Sequence, residues 1–237
     1  MTSFPFRIVG FDLDGTLLDT GADLGLALNH VLDRLGRPPV PLGEVPRLIG
    51  GGARLLLERG LARTGGAVAE EEMPALQAEF ISFYRANIAR HTRPYPGAEA
   101  MLDELAARGA RLAVVTNKIE ALALEVLHAV GLESRFATII GGDTLGPGRA
   151  KPAPDLLLEM TRRLGNGPAV YVGDTSYDTR AAAAAGMPCV AVSFGFNDEP
   201  VAQLGADAVI DHFAALVPAL AELAELHPRA TGSATPA

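Results

Sequence analysis

Short apolar runs that stop abruptly at small or polar residues set the strongest constraint on this chain. The run at 7–11 stops at Asp12, and that at 112–115 stops at Thr116 and Asn117. The run at 137–140 stops at Gly141, and that at 169–172 stops at Gly173 and Asp174. Runs at 188–192 and 208–210 follow in the same style. Continuous apolar runs of this length read as strands buried on both faces. Helical patterns lie between them, at Met101, Leu102 and Leu105, at Leu122, Val126 and Leu127, and at Leu156, Leu157 and Met160. This alternation predicts an α/β fold with a doubly wound parallel sheet, a Rossmann-like core. In such sheets ligands bind beyond the carboxyl ends of the strands, where these polar stops fall.

The stretch 18–92 interrupts the alternation. Leu24, Leu28, Val31, Leu32 and Leu35 recur at helical spacing, as do Leu76, Phe80, Phe83 and Tyr84, and no strand pattern is visible. A small all-α insert is expected there. The α/β core is then 1–17 and 93–228, re-entered through the turn-rich Arg93-Pro94-Tyr95-Pro96-Gly97, with a flexible tail at 229–237.

Composition narrows the function. Hydrophobic residues make up 49% of the 237 and charged residues 20%, ample for a packed core and unlike a disordered chain. A single cysteine excludes a disulfide framework and a thiolate zinc site. The net charge of −8 argues against a nucleic-acid partner. No apolar run is long enough to span a membrane and no secretory leader is visible, so a cytoplasmic enzyme without a membrane partner is expected. Oligomeric state stays open.

Of the 20 basic side chains, 18 are arginine, and the two lysines are Lys118 and Lys151. In a chain that uses arginine for generic surface charge, a lysine marks a place that needs a compact point charge.

Four segments carry chemistry. In Asp12-Leu13-Asp14-Gly15-Thr16, two carboxylates two residues apart at a strand end project to one side. One suits a nucleophile and the other an acid, although a solvated Asp-Gly turn reads the same way in isolation. Gly173-Asp174-Thr175-Ser176-Tyr177-Asp178 adds two more carboxylates. Together they make an oxygen-rich cluster suited to Mg²⁺, and Asp178 also fits a helix N-terminus. Thr116-Asn117-Lys118 offers a hydroxyl and backbone N–H groups to a phosphoryl oxygen, while Lys151-Pro152-Ala153-Pro154 presents an ammonium on a stiff loop.

These four segments, in this order, resemble the motifs of the haloacid-dehalogenase-like phosphatases over nearly the whole chain. The helical insert is similar to the cap of the subgroup whose cap is all α. Within it, residues 49–61 resemble the matching stretch of bacterial phosphoglycolate phosphatases, departing at Gly51, where an Asn is common. The resemblance implies that Asp12 attacks phosphorus to give an aspartyl-phosphate and that Asp14 is the acid and base. It implies Mg²⁺ on Asp12, the Asp14 carbonyl and Asp174, with Asp178 behind them. Thr116, Asn117 and Lys151 would hold the transferring oxygens. Thr16 fits the phosphatase pattern better than that of the phosphosugar mutases. The implied substrate is a small anionic phosphorylated molecule, 2-phosphoglycolate first, with other small phosphometabolites or pyrophosphate as alternatives. Gly50, Gly51 and Gly52 allow close backbone approach to such a ligand, Arg47 and Arg54 are the candidate partners of its carboxylate, and Lys118 is a further candidate substrate residue.

Overall fold

A computed structural model describes residues 4–226; the tail expected at 229–237 lies outside them. Six parallel strands form the central sheet: β1 (Ile8–Phe11), β4 (Arg111–Val115), β5 (Thr138–Ile140), β6 (Ala169–Gly173), β7 (Cys189–Val192) and β8 (Ala208–Ile210). Their spatial order is β5-β4-β1-β6-β7-β8. The chain leaves β1 in one direction, through β4 to β5, and returns on the other side of β1 with β6. That reversal is the switch point at which an open α/β sheet forms its binding crevice.

The strands bury both faces because their apolar residues divide two ways. Val9 and Phe11 join Val114, Val170, Val172, Val190 and Val192 on one face. Helices α4 (Ala98–Ala107), α5 (Glu120–Ala129) and α8 (Leu216–Leu226) cover it with Leu102, Leu105, Val126 and Leu220. Ile8, Ala113, Val115 and Tyr171 face the other way, under α6 (Asp155–Arg163) and α7 (Ser176–Ala184), which contribute Leu157, Met160, Ala181 and Ala182. This is the period-two geometry of a strand with an apolar layer on each side.

Between β1 and α4 lies the helical insert, with α1 (Gly21–Arg34), α2 (Gly52–Thr64) and α3 (Met73–Ala86). Leu24, Leu28, Val31, Leu32, Leu57, Leu61 and Phe80 give it its own core, which also takes in Leu122 and Phe196. A two-stranded ladder, β2 (Leu18–Asp19) against β3 (Arg93–Pro94), carries the chain out and back. Two residues are too few to show a strand pattern in the sequence, which is why this ladder was not expected. Buried Asp23 of α1 fastens the return: Oδ2 accepts from Thr92 N at 2.9 Å and from Thr92 Oγ1 at 2.7 Å. No helix among the described residues is long and apolar enough to cross a membrane.

Candidate active site

Asp12 follows β1, Thr116 follows β4 and Asp174 follows β6, so three adjacent strands end at one place. Lys151 enters from the loop before α6. Its ammonium donates to Asp178 Oδ1 at 2.6 Å and to Tyr171 Oη at 2.9 Å. It also lies 3.0 Å from Asp12 Oδ1, with its side chain 1% exposed. Burial alone would favour the neutral amine, but the Asp12 and Asp178 carboxylates outweigh it and raise the Lys151 pKa. The Tyr171 phenol donates its own hydrogen bond to the Val115 carbonyl, which orients it to accept from Lys151.

Asp12 Oδ1 has the ion-pair distance to Lys151 but no hydrogen bond, and it is buried. Burial, aided by the nearby Asp178 and Asp14 charges and opposed by Lys151, pushes the Asp12 carboxyl up to about 6. A buried carboxylate oxygen without a donor is costly in a finished core and is suited to a reacting atom or a cation. Asp174 is held by the Thr16 hydroxyl (2.7 Å, on Oδ1) and by Phe196 N (2.8 Å, on Oδ2). Burial, then repulsion from Asp178 and Asp12, raises its pKa well above the ordinary value. Gly15, at φ +88°, makes room for this carboxylate: a Cβ there would stand 2.3 Å from Asp174 Oδ2.

Oxygens of Asp12, Asp174 and Asp178, all buried, come within 4.8 Å of one another, a donor set that fits a hard divalent cation. Asp178 is the most committed of the three. Its Oδ1 takes Lys151, and its Oδ2 accepts from Asp174 N, Thr175 N and Thr175 Oγ1 while closing a capping box with Thr175 at the start of α7. The helix-capping reading of Asp178 is realised on Oδ2, while Oδ1 shares the Lys151 ammonium with Asp12.

Asp14 lies beside Asp12 on the floor of one cavity, and Lys118 Nζ donates to both Asp14 oxygens at 2.9 Å. Thr116, Asn117, Gly50 and Gly52 line the same cavity, and the insert closes it from above with Leu24, Ile49, Leu56, Phe80 and Tyr84. Asn117 Nδ2 donates to the Gly50 carbonyl and to the Lys151 carbonyl. Gly52, at φ +85°, sits where a Cβ would be 3.1 Å from the Asn117 carbonyl oxygen. The glycines thus let the insert approach the core backbone. Gly51 falls outside this cavity, packed on Leu55 and Tyr177, and lines a neighbouring groove.

The structure does not bring the two arginines to the cavity. Arg47 is exposed, and Arg54 lines the neighbouring groove, where it pairs with Glu58 and Glu70 at an exposed surface. Arg47 faces solvent and Arg54 faces Glu58 and Glu70, which flanking glycines alone do not reveal. Tyr171 and Tyr84 went unselected because each sits in an apolar pattern; the signal was a polar tip on a side chain in a fully buried run.

Residues 9–192 match the model of the haloacid dehalogenase-like hydrolases. The chain belongs to that family. It is a phosphoric monoester hydrolase. It is 44% identical over 207 residues to a phosphoglycolate phosphatase of Caulobacter vibrioides, covering 86% of each chain. To that of Agrobacterium fabrum it is 41% identical over 225 residues, covering 94% of this chain and 96% of the relative. A crystal structure described as a predicted phosphoglycolate phosphatase from Haemophilus somnus superposes with a TM-score of 0.84 at 32% identity, covering 91% of this chain and 98% of the other.

Proposed function

We propose that this hydrolase cleaves 2-phosphoglycolate to glycolate and phosphate through an aspartyl-phosphate on Asp12. The observation that carries the covalent step is the Asp12 carboxylate, buried, with one oxygen free of hydrogen bonds and an ammonium 3.0 Å away. That oxygen attacks phosphorus, and the bond from phosphorus to the ester oxygen breaks. Asp14 gives its proton to the departing alkoxide, then takes one from the water that attacks the acyl-phosphate, so that Asp12 is regenerated and phosphate leaves. Lys151 and Thr116, with the Asn117 backbone, steady the equatorial oxygens as charge gathers on them.

Asp12, Asp174 and the Asp14 carbonyl would hold Mg²⁺, with Asp178 supporting them. When bound, the ion offsets the repulsion between a carboxylate and an anionic phosphate. Residues 18–92 act as a cap over the core of 1–17 and 93–228, keeping bulk water from the first step. The relatives named for phosphoglycolate support the substrate.

The test is phosphate release from a panel of phosphorylated metabolites with Mg²⁺, on wild type and Asp12→Asn. The expected result is a preference for 2-phosphoglycolate over neutral esters of similar size, and loss of turnover in Asp12→Asn with the fold intact. Turnover retained in Asp12→Asn would remove the covalent mechanism.

A further inference from the structure

The wall that the insert contributes to the cavity is almost wholly apolar, and two groups interrupt the pattern. Lys118 is the only cation among the cavity-lining residues described. Tyr84, 1% exposed, carries a buried hydroxyl beside the Lys118 ammonium, and its O–H has no acceptor. Buried phenols ordinarily find a partner, so one left over at a cavity wall is a donor whose acceptor is a ligand. The two groups come from different parts of the fold, Lys118 from the turn after β4 and Tyr84 from α3. They meet, with the ammonium 4.5 Å from the centre of the Tyr84 ring.

Lys118 holds both oxygens of Asp14 in this structure. An acid and base must have an oxygen available to the ester oxygen, so a productive complex requires that this grip be relaxed. Something anionic has to replace Asp14 on Lys118, because a buried ammonium left unpaired is strongly disfavoured.

We propose that Lys118 and Tyr84 together form the subsite that receives the substrate's carboxylate. This rests on the hydrolase reading above and names the groups that select its substrate. The reach follows from the contacts. The ester oxygen stands at Asp14, and Lys118 is one hydrogen bond from Asp14. A carboxylate one carbon beyond the ester oxygen therefore falls to Lys118, whereas a longer chain would carry its charge into the apolar wall. On binding, the substrate carboxylate takes the place of Asp14 on Lys118 and accepts the Tyr84 O–H, whose proton stays on the phenol. Asp14 is thereby released toward the ester oxygen. A neutral ester leaves the Lys118–Asp14 pair closed and is turned over poorly even when bound. Lys118 and Tyr84 thus set specificity, in place of the two arginines that face away.

The experiment compares 2-phosphoglycolate with 2-hydroxyethyl phosphate as substrates. It also measures, by calorimetry, the binding of 3-phosphonopropionate and of propylphosphonate, a non-hydrolysable pair differing in the carboxylate. The variants are Tyr84→Phe, which keeps the buried ring, and Lys118→Met, with Lys118→Gln as a second replacement should the first not fold. Each substitution is expected to narrow the wild-type preference for the carboxylate-bearing substrate by about 10–100-fold, the scale of one hydrogen bond to a charged group. The affinity gap between the two phosphonates should narrow in parallel, which a general loss of structure would not produce. A wild-type preference that survives Tyr84→Phe or both Lys118 variants overturns the subsite. A wild type with no preference for the carboxylate overturns the substrate reading itself.

Discussion

Asn117 Nδ2 donates to the carbonyl of Gly50 at 3.1 Å, joining the end of a core strand to the loop that opens α2. The same amide reaches the Lys151 carbonyl at 2.9 Å, so one side chain registers the insert, the end of β4 and the lysine loop against each other. Asn117→Ala removes both bonds. At roughly 0.5–1.5 kcal/mol each, the variant should lose about 1–3 kcal/mol of stability. Hydrogen exchange should quicken at residues 50–53 while the β1 amides keep their protection. Unchanged exchange at 50–53 would mean that the insert is held by its apolar contacts alone.

The Asp12 carboxyl, pushed up to about 6 from 3.8 chiefly by burial, ties stability to pH. Between those values the folded protein keeps a proton that the unfolded chain has lost. Stability therefore falls as pH rises through that window, and the loss is complete above about 6. Asp12→Asn cannot ionise and escapes this loss. In metal-free buffer it should melt higher than wild type near pH 7.5, and the difference should vanish near pH 4. Thermal denaturation with a chelator at both pH values checks the sign.

Cation binding should reverse that order. If Asp12 and Asp174 hold Mg²⁺, ion at 100 times its Kd should add about 2.7 kcal/mol to the wild type. Asp174→Asn should show little of this gain, and turnover lost to a chelator should return with added Mg²⁺. Equal Mg²⁺ stabilisation of wild type and Asp174→Asn would place the ion elsewhere.

Lys151 is packed against Asp12, Asp178 and Tyr171 with its side chain 1% exposed. A guanidinium preserves the charge but is broader and planar, so it cannot meet three partners grouped around one nitrogen. Lys151→Arg should lower kcat by about 10²-fold or more, close to Lys151→Ala, on the scale of lost transition-state donors. Steady-state kinetics on the two variants decides it, and near-wild-type kcat in Lys151→Arg would show that charge alone suffices.

What the sequence discloses and what it withholds divide along a physical line. Asp12, Thr116 and Asp174 were legible because an apolar run that stops at a polar residue locates the end of a buried strand, and strand ends converge at the switch point. Lys151 was legible through the scarcity of lysine. That Arg47 and Arg54 lie outside the cavity was not legible, because the face a helical residue presents depends on what docks beside it, and Glu70 reaches Arg54 only after folding. Tyr84 and Tyr171 were hidden for a related reason: each satisfies an apolar pattern with its ring and carries its polarity on a single oxygen, which no periodicity records.

The two-rung ladder of β2 and β3 places the exit and the return of the insert side by side. A segment whose ends are adjacent can be exchanged for another of different length at little entropic cost, and the order of the six strands is untouched. The insert is in that sense a portable module, but the carboxylate subsite does not travel whole with it. Tyr84 would move with a transplanted insert, and Lys118 would stay behind with the core. Substrate preference in a chimaera would then be inherited from two parents, and grafting the insert alone onto a relative without a lysine at the position of Lys118 would transfer the wall without the charge.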